Sequence, residues 1–402
     1  MALLRRRRDL RTLTGALTLS YIGSGAGVTA LVLYVQSTQG TGVAVGALLL
    51  AETLPRLFGS LAGALVDRTD LRRLMIRCDM VSAAAFVLLA LLPPFAIILA
   101  LGAIASALQA MYSPARSTLL PELVDPDELP TAYAIENTAF NLQVAIGPIV
   151  GGVLVAAGGT SLALAVDAAT FAGAALVISR LRTTRAGRQD AGRTTIVADA
   201  REGLTYALRN PIARVITFTM IAVVAFLGVD EVALPFLVRD TLGGGPVAYG
   251  LAFGAFGVGM LGASLYLAFR PGRAAGPIYL AGVATGGVGA IATGLAPSLG
   301  AVVAFYGTAG VGNGLDNVAS NTLIQRHVPR EMLGRVFGLV ASAAYGGGAI
   351  AALVGGFYLD ATSARTVFIT GGIGALIAFA LAIRPLTSGP IAPASGRGGE
   401  DG

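Results

Sequence analysis

The stretch GALVDRTDLRRLM, Gly63–Met75, places a cluster of charges between two long apolar segments. Five of the seven residues from 67 to 73 are charged, whereas only 12% of the 402 residues in the whole chain are. A soluble globular domain is normally about 25% charged, and here 55% of the residues are hydrophobic and the mean hydropathy is +0.75. Such a chain could not cover its surface in water. The composition therefore predicts an all-α membrane protein in which this stretch, the charged loop, joins two spans.

Apolar windows of about 20 residues, enough to cross ~30 Å of hydrocarbon, recur along the whole chain. We predict twelve transmembrane helices, numbered spans 1 to 12, at 13–35, 43–66, 74–93, 95–115, 133–158, 161–180, 212–236, 246–269, 276–296, 298–321, 335–358 and 364–384. The longest connection divides them six and six. The predicted domains are an N-terminal six-helix bundle at 1–180, a basic cytoplasmic linker at 181–211, a C-terminal six-helix bundle at 212–385 and a disordered cytoplasmic tail at 386–402.

The arginines orient the chain, and all 28 of its Lys and Arg residues are arginines. If the N-terminus is cytoplasmic, 25 of them lie in cytoplasmic segments, Arg239 and Arg365 lie in outer loops, and Arg56 lies inside a span. This bias predicts a multi-pass protein of the cell membrane with both termini in the cytoplasm. It also accounts for the net charge of +6, so we predict no nucleic-acid partner.

The two sets of six spans contain an internal repeat with a shift of 204 residues. ARSTLLPELVDPDEL at 115–129 aligns with ASNTLIQRHVPREML at 319–333, and the register continues until the glycines at 151–152 align with those at 355–356. Both copies of the loop join the fourth and fifth span of their half. Two parallel repeats imply a pseudo-twofold axis along the membrane normal, with the substrate path between the halves.

Six plus six spans with a charged loop after span 2 resemble the major facilitator superfamily. The charged loop is similar to the signature of that family at Gly63, Asp67, Arg68, Arg72 and Arg73, and departs from it at Asp70 and Leu71. The resemblance implies the major facilitator fold, with two pseudo-twofold-related six-helix bundles. It also implies that Asp67 contacts the opposite half when the cavity opens outward. The basic partner of Asp67 is left open between Arg68, Arg72 and Arg73.

A second motif, GPIVGG at 147–152 in span 5, resembles the Gly-Pro-x-x-Gly-Gly pattern of exporters in the family. We expect Gly147, Pro148, Gly151 and Gly152 to take part in conformational gating, with Pro148 tending to kink the helix. Tight packing without any control of direction is an equal alternative. AETLPRLFGSLAGALVDR and NTLIQRHVPREMLGRVFGL further resemble the macrolide-efflux and enterobactin-exporter branch, which implies proton-driven efflux of bulky amphipathic molecules.

Span 2 contains the most informative charges inside the membrane. Glu52, Arg56, Gly59, Gly63 and Asp67 follow helical spacing, so they are predicted to share one face. An ionisable group inside a span costs roughly 2.5 to 3.5 kcal/mol on insertion scales, so each needs a compensating role. Glu52 and Arg56 are therefore candidates for the substrate or proton path, and a static salt bridge that only orients span 2 is the alternative.

Further polar residues are candidates for the path or for gating. Asn137, Asn141, Asp230, Glu231, Asn313 and Asp316 are candidates for the path, and Glu136 is a candidate for a gate or a solvated cap. Asp230 and Glu231 are predicted late in span 7, near the outer end, where they could load a proton or lie in interfacial water. Asp316 follows the Asn-rich turn of span 10 and is expected in a polar pocket or gate. Arg116 is expected to anchor span 4 at the membrane surface.

The expected function is a secondary active transporter, a proton-coupled exporter of a drug, macrolide or siderophore by alternating access. The alternatives are import of a metabolite by proton symport or uniport, and a membrane scaffold or sensor that transports nothing. The chain has no GxxxxGK[ST], HExxH or CxxC motif, and it has one cysteine and one histidine. We therefore predict no enzyme activity, cofactor or metal site. The expected partners are a small amphipathic substrate, protons and the lipid bilayer, with no obligate protein partner.

Overall fold

A computed structural model describes residues 3, 6–58, 69–180, 196–270 and 274–387. Helices occupy all twelve predicted windows, as far as Phe58 in the case of span 2. Their bounds are Arg8–Gln39 (span 1), Gly42–Thr53 with a 3-10 turn at Leu54–Phe58 (span 2), Leu71–Ala90 (span 3), Phe95–Leu119 (span 4), Leu129–Ile178 (spans 5 and 6), Pro211–Leu227 and Asp230–Phe236 with a π turn at Leu237–Thr241 (span 7), Pro246–Ala268 (span 8), Ala275–Gly294 (span 9), Leu299–His327 (span 10), Arg330–Ala361 (span 11) and Ala364–Thr387 (span 12).

These helices confirm the predicted all-α membrane architecture. Within the described residues, eight helices are long and apolar enough to cross a membrane by length and composition. Short 3-10 turns at Leu120–Glu122 and Pro126–Glu128 connect spans 4 and 5. The predicted linker is described from Ile196 onward, as the linker helix Ile196–Arg209, which packs against spans 7 and 11. Residues 181–195 of the linker and 388–402 of the tail lie outside the described residues, so the domain boundaries stay predictions.

A sharp break separates spans 5 and 6 within the segment Leu129–Ile178. Gly158 has φ −150° and ψ 16°, and Gly159 has φ 77° and ψ 179°. A positive φ with an extended ψ is accessible to glycine and strained for residues with a Cβ. The two helices therefore turn back on one another at this pair. Span 1 packs against the whole segment, and this packing forms the core of the first half.

Two helix pairs join the halves. Span 2 packs against span 11, and span 5 packs against span 8. The shift of 204 residues converts span 2 into span 8 and span 5 into span 11, so the two pairs are related by the repeat. This arrangement agrees with a pseudo-twofold axis between the halves.

Close glycine contacts in these two helix pairs are related by the same 204-residue shift. A Cβ added to Gly42 of span 2 would lie 2.7 Å from the carbonyl oxygen of Gly356 in span 11. A Cβ added to Gly152 of span 5 would lie 2.5 Å from that of Pro246 in span 8. Residues 246 and 356 follow residues 42 and 152 by the 204-residue shift. Only glycine allows the backbones to approach this closely.

Both interfaces lie toward one face of the bundle. We call the end at which span 1 begins and span 12 ends the terminal face, and the other end the opposite face. Gly42 and Gly152 lie in the parts of spans 2 and 5 nearer to the opposite face. The halves are therefore most tightly packed there, and the space between them lies deeper and toward the terminal face.

Candidate functional site

Two connected chambers occupy the space between the halves. The central chamber has a volume of about 190 Å³ and is lined by Gly25, Val28, Thr29, Val32, Leu49, Glu52, Thr53, Arg56, Gln143, Val144, Pro148, Glu231, Tyr249 and Phe253. These residues come from spans 1, 2, 5, 7 and 8, so both halves contribute. The chamber combines apolar side chains with a nearly equal share of polar ones, and three charged residues line it. This composition is typical of a site that binds small molecules.

The three charges are those of Glu52, Arg56 and Glu231. Glu52 lies ten residues after the first residue of span 2, and Glu231 lies ten residues before the end of span 7 at Thr241. Both are therefore ~15 Å from the opposite face, near the middle of a ~30 Å hydrocarbon layer. Arg56 interacts electrostatically with both carboxylates. It makes no direct ion pair with either, so the predicted static Glu52–Arg56 salt bridge is not formed in this conformation.

Two further carboxylates lie behind the chamber. Asp230 is 7% exposed and interacts with the Tyr306 side chain. Asp167 of span 6 is fully buried against span 1 and interacts electrostatically with Glu52. Its Oδ2 atom has no hydrogen-bond partner within the described residues. Four carboxylates and one guanidinium are thus gathered at mid-membrane in the part of the chain that the structure describes.

The terminal chamber continues from the central one toward the terminal face. It has a volume of about 550 Å³, and Arg56 and Gln143 line both chambers. Its walls extend to Ser117 near the end of span 4 and to Gly338 near the start of span 11. The charged centre is therefore reached from the terminal face.

The opposite face is closed by polar contacts between the halves. Gln36 of span 1 donates a hydrogen bond to each oxygen of Asp240 in span 7, at 2.9 and 3.0 Å. Arg239 donates to Gln36 Oε1 at 2.7 Å and to the carbonyl oxygen of Leu33 at 3.2 Å. Residues 36 and 240 are themselves one repeat apart. This contact therefore lies at the pseudo-twofold axis.

Asp360 of span 11 makes a second contact across this face. Its carboxylate accepts hydrogen bonds from the backbone N–H of Gly42 at 2.5 Å and from that of Val43 at 3.0 Å. These are the first two N–H groups of span 2, which have no partner within their own helix. Asp360 thus caps span 2 from the other half, a contact that we call the Asp360 cap.

The GPIVGG motif divides its glycines between two neighbours. Gly147 and Gly151 face span 1, where an added Cβ would lie 2.7 Å from Gly25 Cα and from the Ala26 oxygen, respectively. Pro148 and Gly152 face span 8 of the other half. The helix continues through Pro148, and its dihedral angles become non-helical only at Gly158 and Gly159. The motif thus packs span 5 within its half and across the interface at once.

This fold and site agree with a whole-chain family match. The model of the transmembrane secretion effector family, a major facilitator family, matches residues 6–388. The chain belongs to that family. It is therefore a membrane transporter, and transporters of this family are not enzymes.

Named relatives of this chain include export proteins. It is 28% identical to the multidrug efflux pump Tap of Mycolicibacterium fortuitum over 376 residues, which cover 90% of this chain and 91% of the relative. It is 27% identical to the putative bacilysin exporter BacE of Bacillus amyloliquefaciens over 220 residues, 53% of this chain and 55% of the relative.

Solved structures confirm the major facilitator fold. The nucleoside transporter NupG matches with a TM-score of 0.75 and 13% identity, covering 94% of this chain and 99% of its own. A bacterial homologue of the lysosomal transporter Spinster, in an inward-facing and unoccupied conformation, matches with a TM-score of 0.72 and 16% identity, covering 95% and 98%. At such low identity these structures show the fold of this chain and no more.

The charged loop is described from Thr69 onward. Asp70 caps span 3 by accepting a hydrogen bond from the Arg73 backbone N–H at 3.0 Å, and it pairs with the Arg73 side chain at 3.5 Å. Arg72 donates to the carbonyl oxygens of Ile178 and Ser179 at the end of span 6. Both arginines therefore make contacts within the first half in this conformation. The other candidates of this stretch, Gly59, Gly63, Asp67 and Arg68, lie outside the described residues.

Glu136 and Arg116 form an ion pair between spans 4 and 5. Their charged atoms are 2.6 Å apart, and each side chain is 13% exposed. The expected surface anchor at Arg116 and solvated cap at Glu136 are therefore not observed, because the two charges pair with one another. A role of Glu136 in a gate stays a prediction. The Arg116 guanidinium also lies over the Tyr21 ring, 5.6 Å from its centroid.

Several predicted path residues lie away from the two chambers. Asn137 is exposed and Asn141 is half-buried, and neither lines a chamber, whereas Gln143 of the same helix lines both. Asn313 and Asp316 are half-buried in span 10, where Asp316 interacts with Tyr279 of span 9 within the second half. The role of these four residues in transport stays a prediction.

Glu231 and Asp230 lie deeper in the membrane than the sequence predicted. The apolar window of span 7 ends at 236, but the helical structure continues to Thr241 because Arg239 and Asp240 find partners in the first half. The interfacial location expected for the two carboxylates is therefore wrong.

Sequence patterns did not single out four polar residues that lie between the halves: Gln36, Gln143, Asp240 and Asp360. The 204-residue shift could have indicated the first contact, because it aligns Gln36 with Asp240. Nothing local distinguishes Gln143 or Asp360 from other polar residues near a span.

Proposed function

We propose that this transporter is a proton-coupled exporter of amphipathic small molecules that works by alternating access. In this proposal the terminal face is cytoplasmic and the protein lies in the cell membrane. The substrate enters from the cytoplasm through the terminal chamber and binds in the central chamber. After the halves rock, it leaves through the opposite face.

The charge imbalance at the centre is the observation that carries the proposal. Glu52 and Glu231 share one guanidinium, that of Arg56, and Asp167 and Asp230 add two further carboxyl groups behind them. Uncompensated charge inside a membrane protein is costly. Protons must therefore neutralise some of these carboxyl groups in at least part of the transport cycle.

The charges of Glu52, Glu231 and Arg56 suggest how the chamber could exchange a proton for a substrate. With both glutamates charged, Arg56 balances only one of them, and the chamber retains one negative charge. A proton or the positive charge of an amphipathic substrate can neutralise the other. Binding of such a substrate from the terminal face would displace the proton toward the cytoplasm, which is the exchange that an antiporter requires.

Closure of the opposite face supports export in one further way. Glu52 and Glu231 face a chamber that extends to the terminal face, while the Gln36–Asp240 contact and the Asp360 cap seal the other end. In this conformation the central site would accept a molecule from the cytoplasm. The names of Tap and BacE describe export as well.

Transport assays in everted vesicles test the proposal. The panel is ethidium, erythromycin and a catecholate siderophore, each with and without an imposed acid-inside proton gradient. We expect gradient-driven accumulation of at least one compound, and release of protons when that compound is added. Glu52→Gln should reduce gradient-driven accumulation about tenfold or more, because the residue can no longer exchange a proton. It should spare exchange of labelled for unlabelled substrate without a gradient.

Glu331→Gln is the matched control, because Glu331 is an exposed carboxylate at the start of span 11 that lines neither chamber. It should behave as wild type. Transport that ignores the gradient for every compound would refute proton coupling. Accumulation only in right-side-out vesicles would refute export.

A further inference from the structure

A third cavity lies at the terminal face, outside the substrate path. Its volume is about 890 Å³, and it is formed by the start of span 1, the end of span 6 and the turn after span 4. It is lined by Arg6, Arg7, Arg8, Asp9, Arg11, Thr12, Gly15, Ala16, Leu19, Glu122, Leu123, Gly173, Val177 and Arg180. Neither chamber between the halves shares a lining residue with it. The cavity is therefore a separate site on the first half.

The cavity presents arginines that make no ion pair within the part of the chain that the structure describes. Arg6 and Arg7 pair with Glu128, at 3.2 and 2.9 Å, and so belong to the protein's own ion pairs. Arg8, Arg11 and Arg180 make no ion pair within the described residues, although all three line the cavity. Three such guanidinium groups form a site for an anion with several oxygen atoms, and the phosphodiester group has this chemistry.

An apolar groove leads away from these arginines toward the membrane interior. A Cβ added to Gly15 or to Gly173 would meet no atom within 4 Å, so spans 1 and 6 leave open space between them. Leu19, which is 52% exposed, continues the groove on span 1. From Arg11 to Leu19 the helix rises ~12 Å, about the length of the upper half of an acyl chain. The arginines thus lie at one end of an apolar groove that runs along span 1 toward the membrane interior.

We propose that this cavity binds an anionic phospholipid, with the phosphodiester at Arg8, Arg11 and Arg180 and one acyl chain along Gly15 and Gly173. A positive pocket beside an apolar groove at the cytoplasmic boundary matches both parts of such a lipid. The internal repeat does not account for the arginines of span 1. The 204-residue shift places Ile212 and Val215 at the positions of Arg8 and Arg11.

Lipid titration of the purified full-length protein in neutral detergent tests the proposal. The ligands are dioleoyl phosphatidylglycerol, dioleoyl phosphatidylcholine and free glycerol phosphate. The readouts are retained lipid by native mass spectrometry and the shift in Tm. We expect retention and stabilisation with phosphatidylglycerol only. Arg8→Gln/Arg11→Gln/Arg180→Gln should weaken its binding by roughly fivefold per arginine, on the order of a hundredfold in total.

Two further variants distinguish binding at this cavity from a general effect of positive charge on the protein. Arg209→Gln/Arg214→Gln/Arg326→Gln removes three exposed arginines away from the cavity and should leave binding unchanged. Gly15→Leu/Gly173→Leu adds side chains at two positions where a Cβ meets no atom within 4 Å, and it should weaken phosphatidylglycerol binding although all the arginines remain.

Three results would overturn the proposal. The first is equal binding of phosphatidylcholine, and the second is an equal loss in the control triple variant. The third is a Tm shift from glycerol phosphate as large as that from the lipid, because the site would then recognise phosphate alone.

Discussion

The Asp360 cap allows a quantitative test of how the opposite face is held shut. Replacement of Asp360 by alanine removes two hydrogen bonds from a carboxylate to the backbone N–H groups of Gly42 and Val43, at 2.5 and 3.0 Å. Loss of a capping side chain typically costs about 1 kcal/mol. The negative charge at the positive end of the span 2 dipole adds up to about 1 kcal/mol. These contacts join the two halves, so the loss falls on the closed state alone.

The closed state should therefore lose roughly 2 kcal/mol relative to a state open at the opposite face, which corresponds to about a thirtyfold shift in the equilibrium. The assay is labelling of a Val32→Cys variant by a membrane-impermeant maleimide added from the opposite face. Val32 lines the central chamber and is 2% exposed. The single native cysteine, Cys78, is buried and should contribute little. In the Asp360→Ala background, labelling should become about ten to thirty times faster.

Thr362→Ala is the matched control, because Thr362 lies on the same face and its hydroxyl bonds only to Tyr358 of its own helix. Asp360→Asn, which keeps an acceptor and loses the charge, should give an intermediate rate. The reasoning is refuted if labelling in Asp360→Ala stays at the wild-type rate. An equal acceleration in Thr362→Ala would refute it too.

Two more outcomes are expected from packing and charge. Gly250→Val should abolish transport without unfolding the protein, because its side chain would strike the carbonyl oxygen of Pro148 when the halves close. Gly262→Val in the same helix meets open space and should transport normally in the vesicle assay. Glu136→Gln should lower the free energy of unfolding by about 1 to 3 kcal/mol, because it leaves Arg116 partly buried without its partner. The double variant Arg116→Gln/Glu136→Gln should recover part of that loss. Equal thermal stability of the single and double variants would contradict the second expectation.

The sequence predicted the helices well because their signal is local. Each span is a run of apolar residues long enough for the bilayer, and the cost of unpaired backbone groups in lipid makes such a run helical. The repeat contributed non-local information, since the 204-residue shift relates the contacts at Gly42 and Gly152. Glu52 and Arg56 stood out for an equally simple reason, as charges within an apolar run.

The sequence predicted the depth of Glu231 poorly because a hydropathy window ends where charges begin. Arg239 and Asp240 close the window, yet both are in helical structure because the first half supplies their partners. Asn137 and Gln143 illustrate the same limit within one helix. They differ little as polar residues, and only the packing of span 5 against span 1 and the second half puts Gln143 between the chambers.

The amino-acid sequence by itself determined that this chain crosses a membrane many times, in two related halves, with rare charges at its centre. Hydrophobic length and the cost of burying charge act residue by residue, so they can be read without a structure. Only the tertiary structure decided which charges meet. Glu52 and Glu231 are 179 positions apart in the chain, and Asp360 caps a helix that begins 318 residues before it. Such contacts depend on how one half packs against the other, and no local pattern in the chain indicates which distant residues will meet.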